Sequence, residues 1–113
     1  MNCLFCKLAK SEIAADILFE DDVIMAFRDI QPQAPTHILI IPKKHIATIN
    51  DASEQDEILL GKMVLRAKKI AAQETLDDAG YRLVFNVNSA GGQQVYHIHL
   101  HLLGGRQMTW PPG

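Results

Sequence analysis

The sequence predicts an α+β domain in which one long helix lies against four or five mainly antiparallel strands. Three observations carry this expectation. Residues 59–71 hold a single apolar stripe at helical spacing, and the segments on either side are short, β-prone and punctuated by turn residues. Near the C-terminus, His97-Ile98-His99-Leu100-His101-Leu102-Leu103 alternates histidine with aliphatic residues at the two-residue period of a strand. No repeat, low-complexity tract or linker breaks the chain, so residues 1–113 read as one domain, long enough to bury a hydrophobic core.

Taken in order, residues 4–10 suit a short helix, with Ser11-Glu12-Ile13 as its exit. Ile17-Leu18-Phe19-Glu20 and Val23 to Phe27 flank an acidic turn at Asp21-Asp22 and read as a hairpin. Pro32 and Pro35 punctuate the next loop. His37-Ile38-Leu39-Ile40-Ile41 is an almost continuous apolar run stopped by Pro42, the pattern of a central strand covered on both faces. Ser53 caps the long helix, and Glu54 and Asp56 complement the positive end of its dipole. Leu59, Leu60, Met63, Val64, Ala67, Ile70 and Ala71 form its apolar stripe, while Lys62, Arg66, Lys68, Lys69 and Gln73 lie largely off it. Asp77-Asp78-Ala79-Gly80 ends that element. Tyr81 to Val87 is the next strand, Ser89-Ala90-Gly91-Gly92 a turn, and residues 97–103 the last strand.

Composition narrows the function classes. Hydrophobic residues make up 48% and charged residues 21%, ordinary for a soluble domain. The formal charge is −2 and no basic stripe could track a nucleic-acid backbone, although a small anionic ligand needs only local donors. No apolar run approaches a membrane span. Lys7 and Lys10 interrupt any signal-peptide stretch, and two cysteines spaced C-x-x-C make no secreted disulfide framework. The cytoplasm is the expected compartment.

The histidine strand is where chemistry is expected. Alternation turns Ile98, Leu100 and Leu102 into the core and stacks His97, His99 and His101, three of the five histidines, on the opposite face. Three chemistries are open to such a column. It could hold zinc, with further ligands drawn from Cys3, Cys6, His37 and His45. One imidazole could act as a nucleophile while its neighbours orient it. Or the face could bind a ligand without turning it over. The glycines at 91–92 and 104–105, which bring backbone donors close to both ends of the strand, favour the nucleophile. There is no P-loop, no G-x-G-x-x-G and no G-x-S-x-G.

His-φ-His-φ-His-φ-φ resembles the signature of the histidine triad (HIT) family. Phe27-Arg28-Asp29-Ile30, Pro32-Gln33-Ala34-Pro35-Thr36-His37, Ile41-Pro42-Lys43-Lys44-His45, Gly91-Gly92-Gln93 and the tail from Gly104 to Gly113 match as well. The resemblance covers nearly the whole chain and is closest to the nucleoside phosphoramidase branch. It implies a five-stranded antiparallel sheet with one long and one short helix, and a homodimer in which two sheets become continuous. It implies hydrolysis of purine nucleoside 5′-phosphoramidates and related aminoacyl adenylates, with dinucleoside polyphosphate hydrolysis and non-catalytic nucleotide binding as the alternatives. By the same resemblance His99 is the nucleophile, His101 contacts the phosphate, His97 hydrogen-bonds to nearby backbone, and His37 packs beside the nucleophile's ring. Asp29 takes the ribose hydroxyls. Leu4, Phe5, Leu8, Phe27 and Ile30 form the base slot. Asn86 is a polar contact near the phosphate and leaving group, Gln93, Gln94 and Val95 also belong to the nucleotide-binding set, and Trp110 in the tail reaches a partner's site.

Two positions depart from the closest branch. Gln94 stands where a phosphate-contacting serine is common. Cys3 and Cys6 are an addition, and zinc-bearing relatives in the superfamily pair such a C-x-x-C with histidines matching His45 and His97. No cofactor is expected for the chemistry itself; a structural zinc on Cys3, Cys6, His45 and His97 is the metal expectation.

Overall fold

The structure is a computed structural model and describes residues 3–113. Helix α1 (Leu4–Ala9) leads into the hairpin β1 (Ile17–Glu20) and β2 (Ile24–Arg28), then β3 (Thr36–Pro42). Two single-turn 3-10 segments, Ile49–Asp51 and Glu54–Asp56, run into helix α2 (Glu57–Gln73). Strands β4 (Tyr81–Val84) and β5 (Leu100–Gly104) complete a five-stranded sheet of order β1-β2-β3-β5-β4, with every neighbouring pair antiparallel. The α+β class and the five strands are those expected.

Strand alternation assigns the two faces. Ile24 and Ala26 of β2, Ile38 and Ile40 of β3, and Leu100 and Leu102 of β5 point one way and bury against Met63, Ala67, Ile70 and Ala71 of α2. Met25, Phe27, Leu39 and Ile41 point the other way, where Cys3, Phe5 and Leu8 of α1 cover them. His37 shares this second face. The sheet is therefore a middle layer, and β3, buried on both sides, is its central strand as the apolar run predicts. Among the described residues, no helix is long and apolar enough to cross a membrane.

Three boundaries differ from expectation. The histidine strand pairs regularly only from Leu100, because the Ile98 N–H leaves the sheet to bond the Ile46 carbonyl at 2.8 Å. With no continuing partner there, the preceding strand stops at Val84 instead of Val87. Helix α2 ends at Gln73, ahead of the acidic stretch, where Thr75 adopts a left-handed φ of 58° and the Leu76 N–H closes on the Ala71 carbonyl. Ser53 does cap, with Asp56 returning the bond to its backbone N–H, but the turn it caps is the 3-10 segment that feeds α2.

Candidate active site and metal cluster

The expected face forms although only its last histidine lies in regular strand. Ile98, Leu100 and Leu102 are buried toward α2, while His97 and His99 are buried on the α1 side and His101 is half-buried there. On β3, Leu39 pairs with His101, so His37 sits diagonally across from His101 on the same face. Phe5 of α1 closes the face from above, meeting the His99 ring edge-on at 5.0 Å between centroids.

Hydrogen bonds assign the protons. The His99 Nδ1–H donates to the His97 carbonyl at 2.8 Å, which leaves the Nε2 lone pair of a neutral ring free. Burial pushes its pKa below the ordinary imidazole value, against the His97 carbonyl and the charge of Asp29. At neutral pH the ring is uncharged, with the Nε2 lone pair free.

A second chain of bonds runs through His37. The Gln33 backbone N–H donates to His37 Nδ1 at 3.0 Å, so the proton of a neutral His37 sits on Nε2. That Nε2–H faces His101 Nδ1 at 2.9 Å and donates to it. A neutral His101 then carries its own proton on Nε2. This Nε2 is the only buried side-chain nitrogen or oxygen among the described residues without a partner. Burial, reinforced by the neighbouring rings of His99 and His37 and opposed by Asp29, depresses the His101 pKa to about 4. Burial lowers His37 too, again against Asp29, whose Oδ2 lies 3.5 Å from His37 Nε2. The hydrogen bond of His37 goes to His101, because the diagonal register brings those two rings together.

Two groups of residues converge enough to hold a metal ion: Cys3, Cys6, His45 and His97, and Asp29, His37 and His101. Proton placement separates them. In the first, the His97 Nε2–H donates to the Pro42 carbonyl at 2.7 Å, so its Nδ1 lone pair points into the cluster. The two Nδ1 atoms lie 3.2 Å apart, and the sulfur–nitrogen contacts are 3.2, 3.3 and 3.5 Å. Tetrahedral zinc with ordinary bond lengths needs edges of about 3.3 Å between nitrogens and about 3.5 Å between nitrogen and sulfur. The donor set fits zinc in both chemistry and spacing. In the second group, the Gln33 N–H already occupies His37 Nδ1, so metal at Nε2 would require a proton where a donor points. His37 and His101 form a hydrogen-bond chain from the Gln33 N–H, with the Asp29 carboxylate 3.5 Å from His37 Nε2.

The remaining expected residues divide by exposure. Phe5, Leu8 and Phe27 are buried in the α1-side core and shape the site from behind, whereas Leu4 is half-exposed and Ile30 is 93% exposed, open for a ligand. The Asp29 Oδ1 accepts the Gln31 N–H at 2.8 Å. Asn86 is half-buried, Gln94 is exposed and Val95 packs on the α1-side core. Gln93 turns inward: its Oε1 accepts the Asn88 N–H and its Nε2 donates to the Ala47 and Val95 carbonyls, so its amide braces the loop. Trp110 is 83% exposed on a tail held by Arg82, which donates to the Thr109 carbonyl. A cavity of about 490 Å³ lies between Ala79–Leu83 and Arg106–Met108 at the free edge of β4, and none of the histidines lines it. Sequence reasoning missed the backbone groups of Gln33 and His97, which no side-chain pattern announces.

Comparison with known proteins bears on what this geometry does. The HIT domain model matches residues 10–108. Purine nucleoside phosphoramidase of Escherichia coli K12 is 56% identical over 105 residues, covering 93% of this chain and 88% of that protein. The crystal structure of a HIT family hydrolase from Legionella pneumophila Philadelphia 1 superposes with a TM-score of 0.97 at 71% identity, covering 99% of this chain and all of that one. The histidine triad nucleotide-binding protein of Candida albicans superposes at 0.83 with 33% identity, covering 97% and 83% of the two chains.

Proposed function

The chain belongs to the HIT domain family, and from that premise we propose that it is a hydrolase of purine nucleoside 5′-phosphoramidates and related aminoacyl adenylates, working through a nucleotidyl-histidine. The observation that carries this reading is the tautomer of His99, whose Nδ1–H is fixed on the His97 carbonyl and whose Nε2 is left free to attack. The similarity to a purine nucleoside phosphoramidase supports the substrate class.

The proton inventory closes in two steps. The neutral His101 offers its Nε2–H to a phosphoryl oxygen while its Nδ1 accepts from His37. The leaving nitrogen of the substrate brings its own proton: His99 Nε2 attacks phosphorus, the P–N bond breaks with its electron pair on that protonated nitrogen, and a neutral amine departs. Water then attacks the nucleotidyl-histidine. The bond from phosphorus to Nε2 breaks with its electron pair on His99, which leaves as the neutral ring, and the proton lost by the attacking water goes to solvent as nucleoside monophosphate is released. Asp29 is suited to the ribose hydroxyls through the lone pairs its Gln31 bond leaves free, and Leu4 and Ile30 to the base.

Cys3, Cys6, His45 and His97 would hold a structural zinc. When bound, it supplies a closed four-ligand tether and folding energy, with no open position for substrate. Free thiols at that spacing suit a reducing compartment such as the cytoplasm. Ile58, 86% exposed, and the exposed Leu65 and Val64 on the outer surface of α2, with the unpaired edge of β4, support a homodimer. Trp110 is free to meet a partner's site.

Purified protein should cleave adenosine 5′-phosphoramidate in preference to diadenosine polyphosphates, and His99→Asn should abolish turnover while AMP still binds. A preference for the dinucleotides would move the chain to the sister activity. AMP binding with no hydrolysis of either would leave a nucleotide-binding adaptor.

A further inference from the structure

We propose that the Cys3/Cys6/His45/His97 cluster is thermodynamically linked to the nucleotide site, with Phe5 as the positioning residue that joins them. The inference rests on the part of the proposed function that seats a nucleotide beside His99. It adds that metal at the cluster and nucleotide beside His99 each tighten the binding of the other.

The linkage begins in the sequence Cys3-Leu4-Phe5-Cys6. Helix α1 has six residues, too few to be stable alone, so its position depends on what holds it from outside. Two things do: the burial of Phe5 and Leu8 against Phe27 and Leu39, and the convergence of both cysteines on His45 and His97. Phe5 lies between the two metal-ligating cysteines. Its ring meets His99 at 5.0 Å and 81°, His97 at 6.0 Å and 80°, and Phe27 at 5.6 Å. Where the thiols go, the edge packed on His99 goes too.

The second connection is His97. Its Nδ1 belongs to the cluster, its Nε2 holds the Pro42 carbonyl, and its own carbonyl holds the His99 Nδ1–H. His99 is thus fixed at two points, its ring face by Phe5 and its Nδ1 by His97. One of those residues is a cluster ligand and the other is bracketed by two. Leu4, the half-exposed apolar residue offered to the base, rides on the same helix. Metal and nucleotide therefore order one shared element, and whichever binds first lowers the ordering cost left for the second. Such coupling is reciprocal, so a single factor describes both directions.

Cobalt(II) is the probe, since it takes zinc's tetrahedral site and reports its geometry in visible absorption. Wild-type protein loaded with Co²⁺ is titrated with AMP, and Co²⁺ affinity is measured by chelator competition with and without AMP. AMP should shift the cobalt bands and tighten Co²⁺ by about fivefold or more, a typical coupling. AMP should bind the loaded protein more tightly than the metal-free protein by the same factor. Phe5→Leu keeps all four ligands and an apolar side chain, so it should retain tetrahedral cobalt bands while the factor falls toward one. Unchanged bands with equal affinities would overturn the linkage, and so would a protein that binds no cobalt. Full coupling in Phe5→Leu would overturn the role of Phe5. Because every readout is a binding measurement, coupling without any hydrolysis would reject the proposed activity and leave the linkage standing.

Discussion

His37→Leu tests the His37–His101 hydrogen bond most directly. In the folded protein His37 is buried, accepts the Gln33 N–H at 3.0 Å and donates to His101 at 2.9 Å. Leucine fills similar space but removes the donor that fixes the His101 tautomer. His101 can then carry its proton on Nδ1 and present a lone pair, instead of a donor, to the phosphoryl oxygen. The lost contribution is that of one hydrogen bond to a charged group, about 1.5–3 kcal/mol in the transition state. At 1.4 kcal/mol per decade this is a fall of roughly ten- to 150-fold in kcat. The Gln33 N–H also loses its partner, at a cost of about 1–3 kcal/mol, partly offset by burying leucine in place of imidazole. Rapid-quench single turnover should place the deficit in nucleotidyl transfer to His99, with AMP affinity within about threefold of wild type. His37→Gln, which can accept from Gln33 and donate to His101, should recover part of the rate. A His37→Leu enzyme within threefold of wild type would refute that role. So would a loss of AMP affinity matching the loss in kcat, because His37 would then be a binding residue.

The pH dependence of stability has a definite sign. His101 falls from an ordinary 6.5 to about 4 on folding, so its contribution is complete above pH 6.5, declines as pH falls toward 4, and amounts to about 3 kcal/mol as an upper figure. Burial lowers His37 and His99 in the same direction, so the midpoint of urea unfolding of chelator-treated protein should drop between pH 6.5 and 4, and less in His101→Asn; a flat profile would contradict the assigned burial. Thr75→Gly should raise stability by about 0.5–1 kcal/mol, because a β-branched residue at φ 58° occupies the left-handed helix-terminating position that glycine fills without strain; thermal melting checks it. Gly91→Ala should lower the melting temperature by several degrees, since its Cβ would stand 2.5 Å from the Val87 carbonyl oxygen and 2.8 Å from the Val87 nitrogen, backbone atoms that cannot step aside.

How much was legible depends on whether side chains or backbone set the feature. The apolar run 37–41 declares a central strand because both faces are buried there, and the hairpin at 17–28 is marked by its acidic turn. The stripe on α2 was read correctly at Met63, Ala67, Ile70 and Ala71, but Val64 turns outward, since a stripe wider than the sheet contact leaves its flank exposed. Strand ends were misread where pairing partners run out, a tertiary fact absent from local propensity. In the site, the residues of the Cys3/Cys6/His45/His97 cluster and the histidine face were visible as residue types. The roles of His37 and Gln93 were not, because they follow from the Gln33 N–H and from the Asn88 and Ala47 backbone.

The three histidines are chemically identical in sequence and different in the fold, and position along the face explains the difference. Alternate residues on an extended segment stand about 6–7 Å apart, so each ring meets a different neighbour. His97 lies nearest the end covered by α1 and meets Cys3, Cys6 and His45. His101 lies against β3 and meets His37. His99, between them, packs against Phe5 and the His101 ring at 5.0 and 4.9 Å between centroids, but its hydrogen bond goes from Nδ1 to a backbone carbonyl and to neither set. Its Nε2 is therefore the nitrogen that the Cys/His cluster and the His37 chain both leave unclaimed. The nucleophile proposed above needs such a nitrogen, and the middle of an alternating column supplies it. Exchanging the outer neighbours alters what each flanking ring does, but the central ring keeps its free nitrogen as long as the His97 carbonyl stays in place.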